Sequence, residues 1–287
     1  MKAAVLKPIW DLFCIKFKRR VHRILVHYLP DSKYKQKWDA FYQYWWKFEK
    51  YGYSLRIFRD EIRISNDNLI ISGNSPNTIW TTFGIFCEKE YDFTDTADYL
   101  MIDIGLNIGV ASIYFAQKEN IKKIYGYEPF LKTYQQALKN IEQNPSCKDK
   151  ICANPFGLGN STKEKIIHYN ADLPGSMSTV KDLYADFGIS ETIQIKSASD
   201  VLAPIFAKYH NLKKFLKIDC EGAEEEILAN LQHSGILKDV DLILLEWHFG
   251  CYAAITKILT DTNFIVTCHH TIPDIQGNII AFSKRKL

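Results

Sequence analysis

The chain has 287 residues, of which 47% are hydrophobic and 14% aromatic, and its 36 basic and 33 acidic side chains leave a formal net charge of +3. That is enough apolar material for one α/β domain with an extension, or for one large and one small domain, and too little net charge to argue for nucleic acid from the chain as a whole. The seven cysteines, odd in number and without a Cys-x-x-Cys spacing, read as buried thiols in a reducing compartment and speak against a disulfide scaffold or a zinc site. No run approaches the ~18 apolar residues of a membrane span. Lys7, Asp11 and Lys16 interrupt the first segment and leave no secretory core, so the expected location is cytoplasmic.

In chain order, residues 4–29 place Leu6, Trp10, Phe13, Phe17, Val21, Ile24 and Tyr28 at helical spacing, with Lys16, Arg19, Arg20, Arg23 and His27 largely on the remaining surface. Such a basic amphipathic helix suits peripheral contact with an anionic membrane. It equally suits docking on the domain or pairing with its copy in a homodimer. After the break at Pro30-Asp31-Ser32, residues 34–50 are dense in aromatics, including Trp38, Phe41, Tyr44, Trp45 and Phe48. These could stack on sugars or lipid headgroups, but core between a helix and its domain is the favoured reading. From Tyr53 to Phe93 short β-prone runs alternate with turn residues, and Leu55–Phe58, Ile62–Ile64, Leu69–Ser72 and Thr78–Ile85 are predicted as strands of a hairpin lead-in. The expected division is a helical extension over 1–50, a hairpin segment over 51–98 and a main domain over 99–287.

The main domain is organised around a β-branched run from Tyr99 to Ile104 that breaks into Gly105-Leu106-Asn107-Ile108-Gly109 and then into a helix. A continuous apolar strand followed by a glycine turn is the pattern of a nucleotide site at the edge of a parallel sheet. The order Asp103-x-Gly105-x-Asn107-x-Gly109 differs from the Gly-x-Gly-x-x-Gly of dinucleotide sites, where a carboxylate beside the phosphates has little use. A carboxylate and an amide at the loop suit a ligand with an amino-acid moiety and a sulfonium, as in S-adenosylmethionine. The next strand leads to Glu128-Pro129, and an acid ~20 positions past the loop is placed to accept hydrogen bonds from ribose hydroxyls.

Beyond it, strands and helices alternate, with strands over Lys123–Tyr127, Ile151–Phe156, Phe215–Ile218 and Leu242–Leu245 and a closing hairpin of Phe264–Thr267 with Ile279–Ser283. Alternation means a doubly wound, mostly parallel sheet, and the hairpin supplies an antiparallel edge strand. Lys165–Tyr169 and Thr192–Lys196 are predicted as an inserted antiparallel pair. Asp103, Glu128, Asp219 and Glu246 then share the carboxyl ends of the strands, where ligands bind in such sheets.

Four stretches together, Ile102–Gly109, Gly126–Pro129, Leu216–Glu224 and Leu245–His248, resemble the FkbM family of S-adenosylmethionine-dependent methyltransferases, in the family's order and over roughly residues 85–285. The third, Lys217-Ile218-Asp219-Cys220-Glu221-Gly222-Ala223-Glu224, is the most specific. The family often has alanine where Leu106 stands. The resemblance implies a class I methyltransferase (Rossmann-like) fold, S-adenosylmethionine as cofactor, and O-methylation of a sugar or another hydroxyl on a natural product or surface glycan. Cofactor binding falls on Asp103, Gly105, Asn107, Gly109, Glu128, Pro129 and Asp219.

Methyl transfer to oxygen needs alignment of the acceptor and removal of its proton. Asp219, Glu221, Glu246 and His248 are the polar groups at the last two strand tips, and an imidazole titrating near neutrality makes His248 the first choice as base, with a hydrogen-bonded loop histidine as the competing reading. Asp219, Glu246 and His248 also form a plausible mixed set for a divalent cation, though no spacing demands one and none is expected. Lys217, inside an apolar strand, is expected to pair with a carboxylate. Asn154-Pro155-Phe156 matches only part of an amino-methylating motif and follows the wrong strand. Cys268-His269-His270 lacks a partner cluster. A protein or RNA acceptor, or an inactive methyltransferase fold that binds at a membrane, are the rival readings. No basic groove supports RNA, and the glycine spacing argues against NAD.

Overall fold

The computed structural model describes residues 33–58, 61–168, 190–272 and 275–284, without the side chains of residues 33, 34 and 268–271. The basic segment 4–29 and the Gly-Ser-containing stretch 174–179 lie outside the described residues. The chain divides into two compact units, Met1–Glu90 and Tyr91–Leu287.

In the first unit, helix α1 (Lys33–Lys50) precedes an antiparallel meander of β1 (Ser54–Phe58), β2 (Glu61–Asn66) and β3 (Leu69–Gly73). The register sets Leu55 against Ile64 and Ile64 against Ile71, so one face of the meander is apolar and buried. Phe48 of α1 is fully buried against that face, with Phe41, Tyr44 and Trp45 partly buried beside it, which is the core role favoured for the aromatic stretch. The predicted fourth strand is instead helix α2 (Asn77–Phe83), continued as a wide π turn through Glu88. Ile79 and Phe83, four residues apart, both enter the core, and the Thr82 hydroxyl donates to the Thr78 carbonyl at 2.6 Å. Burial at helical spacing therefore overrides the β preference of its threonines, and Pro76 at the start was the available signal.

The second unit carries β4 (Tyr99–Ile104), α3 (Val110–Ala116), β5 (Ile121–Tyr127), α4 (Leu131–Glu142), α5 (Pro145–Lys148), β6 (Ile151–Asn154), β7 (Gly157–Gly159), β8 (Lys163–His168), β9 (Ser190–Ser197), α6 (Ala198–Lys208), β10 (Lys213–Ile218), α7 (Glu224–His233), β11 (Leu242–His248), α8 (Tyr252–Asp261), β12 (Phe264–Ile272) and β13 (Gln276–Ser283). The main sheet has the order β12-β13-β11-β10-β4-β5-β6. Its five strands from β11 to β6 are parallel, and β13 joins β11 antiparallel. All six residues of β4 are buried, as the continuous apolar run requires of a strand covered on both faces. The chain leaves β4 towards β5 and β6 on one side and later returns to β10 on the other, which makes the gap above β4 and β10 the topological switch point. The predicted pair β8–β9 forms, and β7 adds to β9 in parallel to give a separate three-stranded sheet over Phe130, Ile167, Ile193 and Ile195.

One boundary differs in a way that matters for the site. The expected strand end at Leu245 is extended to His248, because Gln276, Gly277 and Asn278 of β13 pair with His248, Trp247 and Glu246. Glu246 and His248 thus stand on a fixed ladder rather than on a loop.

Candidate functional site

The loop Gly105–Gly109 is fixed from below. The amides of Gly105 and Leu106 both donate to the Tyr127 carbonyl, at 3.1 and 2.9 Å. Gly105 has φ +84°, and a Cβ there would lie 1.8 Å from the Asp219 carbonyl oxygen, so the loop crosses β10 at backbone contact and only glycine fits. Asn107 is left-handed at φ 52°, with its side-chain oxygen accepting the Ile108 amide at 2.8 Å. Gly109, at φ +86°, opens α3. Leu106, the residue that departs from the family's alanine, is buried over Gly126 of β5, where a Cβ would come within 2.8 Å of it. Its bulk is absorbed by a glycine in the sheet.

Beneath the loop, the parallel register sets Lys217 of β10 beside Asp103 of β4. The Lys217 ammonium lies 3.2 Å from Asp103 Oδ1 and 3.4 Å from Asp219 Oδ2, and it donates to the Gly105 carbonyl at 2.8 Å. Ser112 Oγ donates to Asp103 Oδ2 at 2.6 Å. Burial works against the lysine's charge, but the carboxylates of Asp103 and Asp219 outweigh it and hold the ammonium's pKa above its ordinary value. The pairing expected of Lys217 is present. Asp103, expected to meet the cofactor directly, has no exposed surface and reaches the cleft only through Lys217 and the loop it holds.

Glu128, just past β5, is also buried, and its two oxygens accept the Asn107 amide at 2.9 Å and the Phe130 amide at 3.0 Å. Burial raises its pKa to about 7 despite those two donors. Pro129 lies alongside Gly157. The Asn154 side-chain amide donates to the Gly126 carbonyl at 3.1 Å and so closes the strand end.

At the tips of β10 and β11 the four predicted groups converge. The His248 Nε2 atom lies 3.5 Å from Glu221 Oε2 and 4.0 Å from Glu246 Oε1. Its Nδ1 is 3.0 Å from Glu224 Oε1, which also accepts the amides of Gly222 at 3.0 Å and Cys220 at 3.2 Å. Glu221 is held left-handed at φ 55° and Gly222 at φ 115°. Burial opposes the imidazolium, but the Glu224 hydrogen bond and the surrounding carboxylates raise the His248 pKa to about 9. Burial and the like charges of Asp219, Glu246 and Glu224 raise Glu221 to about 8. Glu224 entered the sequence reading only as the last residue of the Lys217–Glu224 motif, with no role of its own. Its spacing of two after Gly222, which lets it fold back over residues 220–222, was the usable signal.

A glycine turn at the switch point, a buried acid past the second strand and a polar cluster at the last two strand tips of a mostly parallel sheet define a Rossmann-like domain. The FkbM methyltransferase domain matches residues 103–266, more than half of the chain, and the chain belongs to that family of S-adenosylmethionine-dependent methyltransferases. Two curated relatives are methyltransferase sdnD of Sordaria araneosa, 26% identical over 211 residues (64% of this chain and 80% of that one), and methyltransferase 1 of Beauveria bassiana strain ARSEF 2860, 27% identical over 206 residues (63% and 79%). Among solved structures, a methyltransferase FkbM from Methylobacillus flagellatus KT aligns at TM-score 0.42 and 13% identity over 92% of this chain, which spans 58% of that one.

Two outcomes test this geometry. Removing the ammonium in Lys217→Met strands a buried Asp103 carboxylate and is expected to cost about 3–5 kcal/mol in denaturant unfolding. The double variant with Asp103→Asn should recover part of it. Full wild-type stability in Lys217→Met contradicts the assignment. For Glu128, the folded pKa of about 7 lies above the ordinary 4.5. The sign follows: its stabilising contribution is complete below the ordinary carboxylate range and is lost as pH rises to 7. Ribose hydroxyls donate to the ionised form, so S-adenosylhomocysteine affinity should rise through that range while stability from this group declines. Glu128→Gln should flatten both slopes, in calorimetry and thermal unfolding respectively.

Proposed function

We propose that the protein transfers a methyl group to a hydroxyl of a saccharide, glycolipid or related natural product. The observation that carries this reading is the cluster at the tips of β10 and β11, where the carboxylates of Asp219, Glu221 and Glu246 gather hydrogen-bond acceptors around His248, next to the Gly105 loop. Hydroxyl donors suit such a surface, whereas phosphates and carboxylates do not.

The residues fit S-adenosylmethionine, because Gly105 leaves a cradle that any Cβ would fill and Glu128 offers a buried carboxylate at the second strand tip. Gly105, Asn107, Gly109, Glu128 and Pro129 would hold its nucleoside side, and Asp219 its amino group. Asp103 supports them through Lys217. When bound, the cofactor would supply an electrophilic sulfonium methyl for transfer to the acceptor oxygen, with the carbon–sulfur bond as the one that breaks. His248, Asp219 and Glu246 orient the acceptor hydroxyl; with its pKa raised to about 9, His248 takes up the proton only in its neutral form, and below that pH the carboxylates of the cluster accept it. Fixed positioning by β11 and its ladder to β13 gives this step its geometric advantage.

Localisation fits a peripheral, cytoplasmic protein. No helix among the described residues is long and apolar enough to cross a membrane. The basic amphipathic pattern of residues 4–29 supports presentation of a lipid-linked acceptor at an anionic surface.

Calorimetry with S-adenosylhomocysteine is expected to give one site per chain, weakened about a hundredfold or more in Glu128→Ala, on the scale of a lost charged hydrogen-bond partner. Label from methyl-tritiated cofactor should appear on saccharide hydroxyls and not on protein or RNA. Incorporation into protein or RNA alone would overturn the acceptor class. Anionic liposomes should retain the full chain at low salt and release it at high salt, and charge reversal at Arg19, Arg20 and Arg23 should abolish retention. Unchanged retention would remove the membrane reading.

A further inference from the structure

We infer that Asp219, Glu221 and His248 bind a divalent cation at the tips of β10 and β11. One ligand atom from each lies within 4.8 Å of the other two. This inference rests on the reading that the acceptor hydroxyl enters the same cluster, and it changes how that hydroxyl is activated.

Three independent features give the set the character of a metal site. The first is the histidine's second nitrogen. Metal-bound imidazoles usually donate their other N–H to a carboxylate, which fixes both ring and tautomer. Here Nδ1 lies 3.0 Å from Glu224 Oε1, and Glu224 is fully buried. With that hydrogen bond made from Nδ1, the Nε2 lone pair faces Glu221 and Glu246. Glu224 is itself anchored by the amides of Cys220 and Gly222, so ring, carboxylate and loop form one rigid support.

The second feature is the backbone. Glu221 occupies a left-handed conformation that glycine fills more easily, and Gly222 continues it at φ 115°. A β-tip loop of that shape returns the Glu221 carboxylate over the imidazole instead of releasing it to solvent. Strain of this kind gathers at functional positions.

The third feature is charge. Four carboxylates, from Asp219, Glu221, Glu224 and Glu246, surround one imidazole. Lys217 offsets part of this from beneath, and both polar contacts recorded for Asp219, to Lys217 at 3.4 Å and to the Tyr91 hydroxyl at 3.5 Å, fall on Oδ2. The opposite oxygen is the one the cation would take.

Two carboxylates and one imidazole form a donor set of intermediate hardness, suited to Mn²⁺ and Fe²⁺ more than to Ca²⁺ or Cu⁺. Octahedral bonds of about 2.1 Å place neighbouring donors about 3 Å apart. The part-exposed side chains of Asp219 and Glu221 reach that spacing by rotation while His248 stays fixed. Three protein ligands leave coordination positions for the acceptor oxygen. A cation there lowers the hydroxyl's pKa and aligns it. With Nε2 committed to the metal, the hydroxyl proton would pass to the Glu246 carboxylate, and the oxygen's freed electron pair would form the new carbon–oxygen bond as the carbon–sulfur bond breaks and its pair leaves on the sulfur of S-adenosylhomocysteine.

The test uses the full chain and MnCl₂ without substrate, read by the loss of the free Mn²⁺ paramagnetic resonance signal. One ion per chain is expected, with affinity falling at least about tenfold in Glu221→Gln and in His248→Asn, and about tenfold in Glu224→Gln, which acts through the imidazole and the 220–222 loop that it anchors. S-adenosylhomocysteine binding, measured in the same samples, should persist in Glu221→Gln and shows that the variant is folded. Wild-type protein that binds S-adenosylhomocysteine but takes up no more Mn²⁺ than Glu221→Gln overturns the cation site and leaves the methyltransferase reading standing. Stoichiometric Mn²⁺ uptake without S-adenosylhomocysteine binding would instead sustain the cation site and overturn the cofactor assignment.

Discussion

The Lys217 ammonium is the point on which the cleft depends. It lies between β4 and β10, paired with Asp103 and Asp219, and its remaining hydrogen bond goes to the carbonyl of the first glycine of the loop. A charge at that depth survives only with such neighbours. The arrangement ties three things together: the switch point of the sheet, the conformation of Gly105, and the orientation of Asp219 at the edge of the polar cluster. Loop and cluster are therefore not independent features that happen to adjoin. They share one buried cation and one backbone contact, between Gly105 and the Asp219 carbonyl.

Much of this was legible in the sequence because it depends on local pattern. An all-apolar β4, a glycine turn and a downstream acid are statements about neighbours in the chain, and each maps onto one element. The alternation that predicted a parallel sheet, and the closing hairpin, are of the same kind. The FkbM resemblance rested on four motifs between residues 102 and 248, and the domain match covers residues 103–266.

What was missed depends on pairing between distant segments. The extent of β11 is set by β13, some thirty residues later, and no periodicity in Leu242–Leu245 announces it. Glu224, at the start of α7, partners His248 at the tip of β11, and although its spacing after Gly222 marks it as able to fold back over 220–222, nothing local ties it to a histidine 24 positions on. Asp103 was visible as an acid at a strand end, but whether it faces the cleft or the core is decided by the register that sets it beside Lys217. At Thr78–Phe83 the local preference misled, since the β-branched residues there serve a helix whose inward face is set by Ile79 and Phe83.

The ladder between β11 and β13 has a consequence for the polar cluster. β10 accompanies β11 only as far as Leu245, and among the described residues the last three positions, including Glu246 and His248, are paired by β13. A bulge in β13 opposite them would interrupt that ladder and bend the tip of β11, while the Gly105 loop, held by Tyr127 and Lys217, would keep its form. The hairpin of β12 and β13 thus acts as an alignment gauge for Glu246 and His248, the part of the polar cluster that Lys217 does not reach.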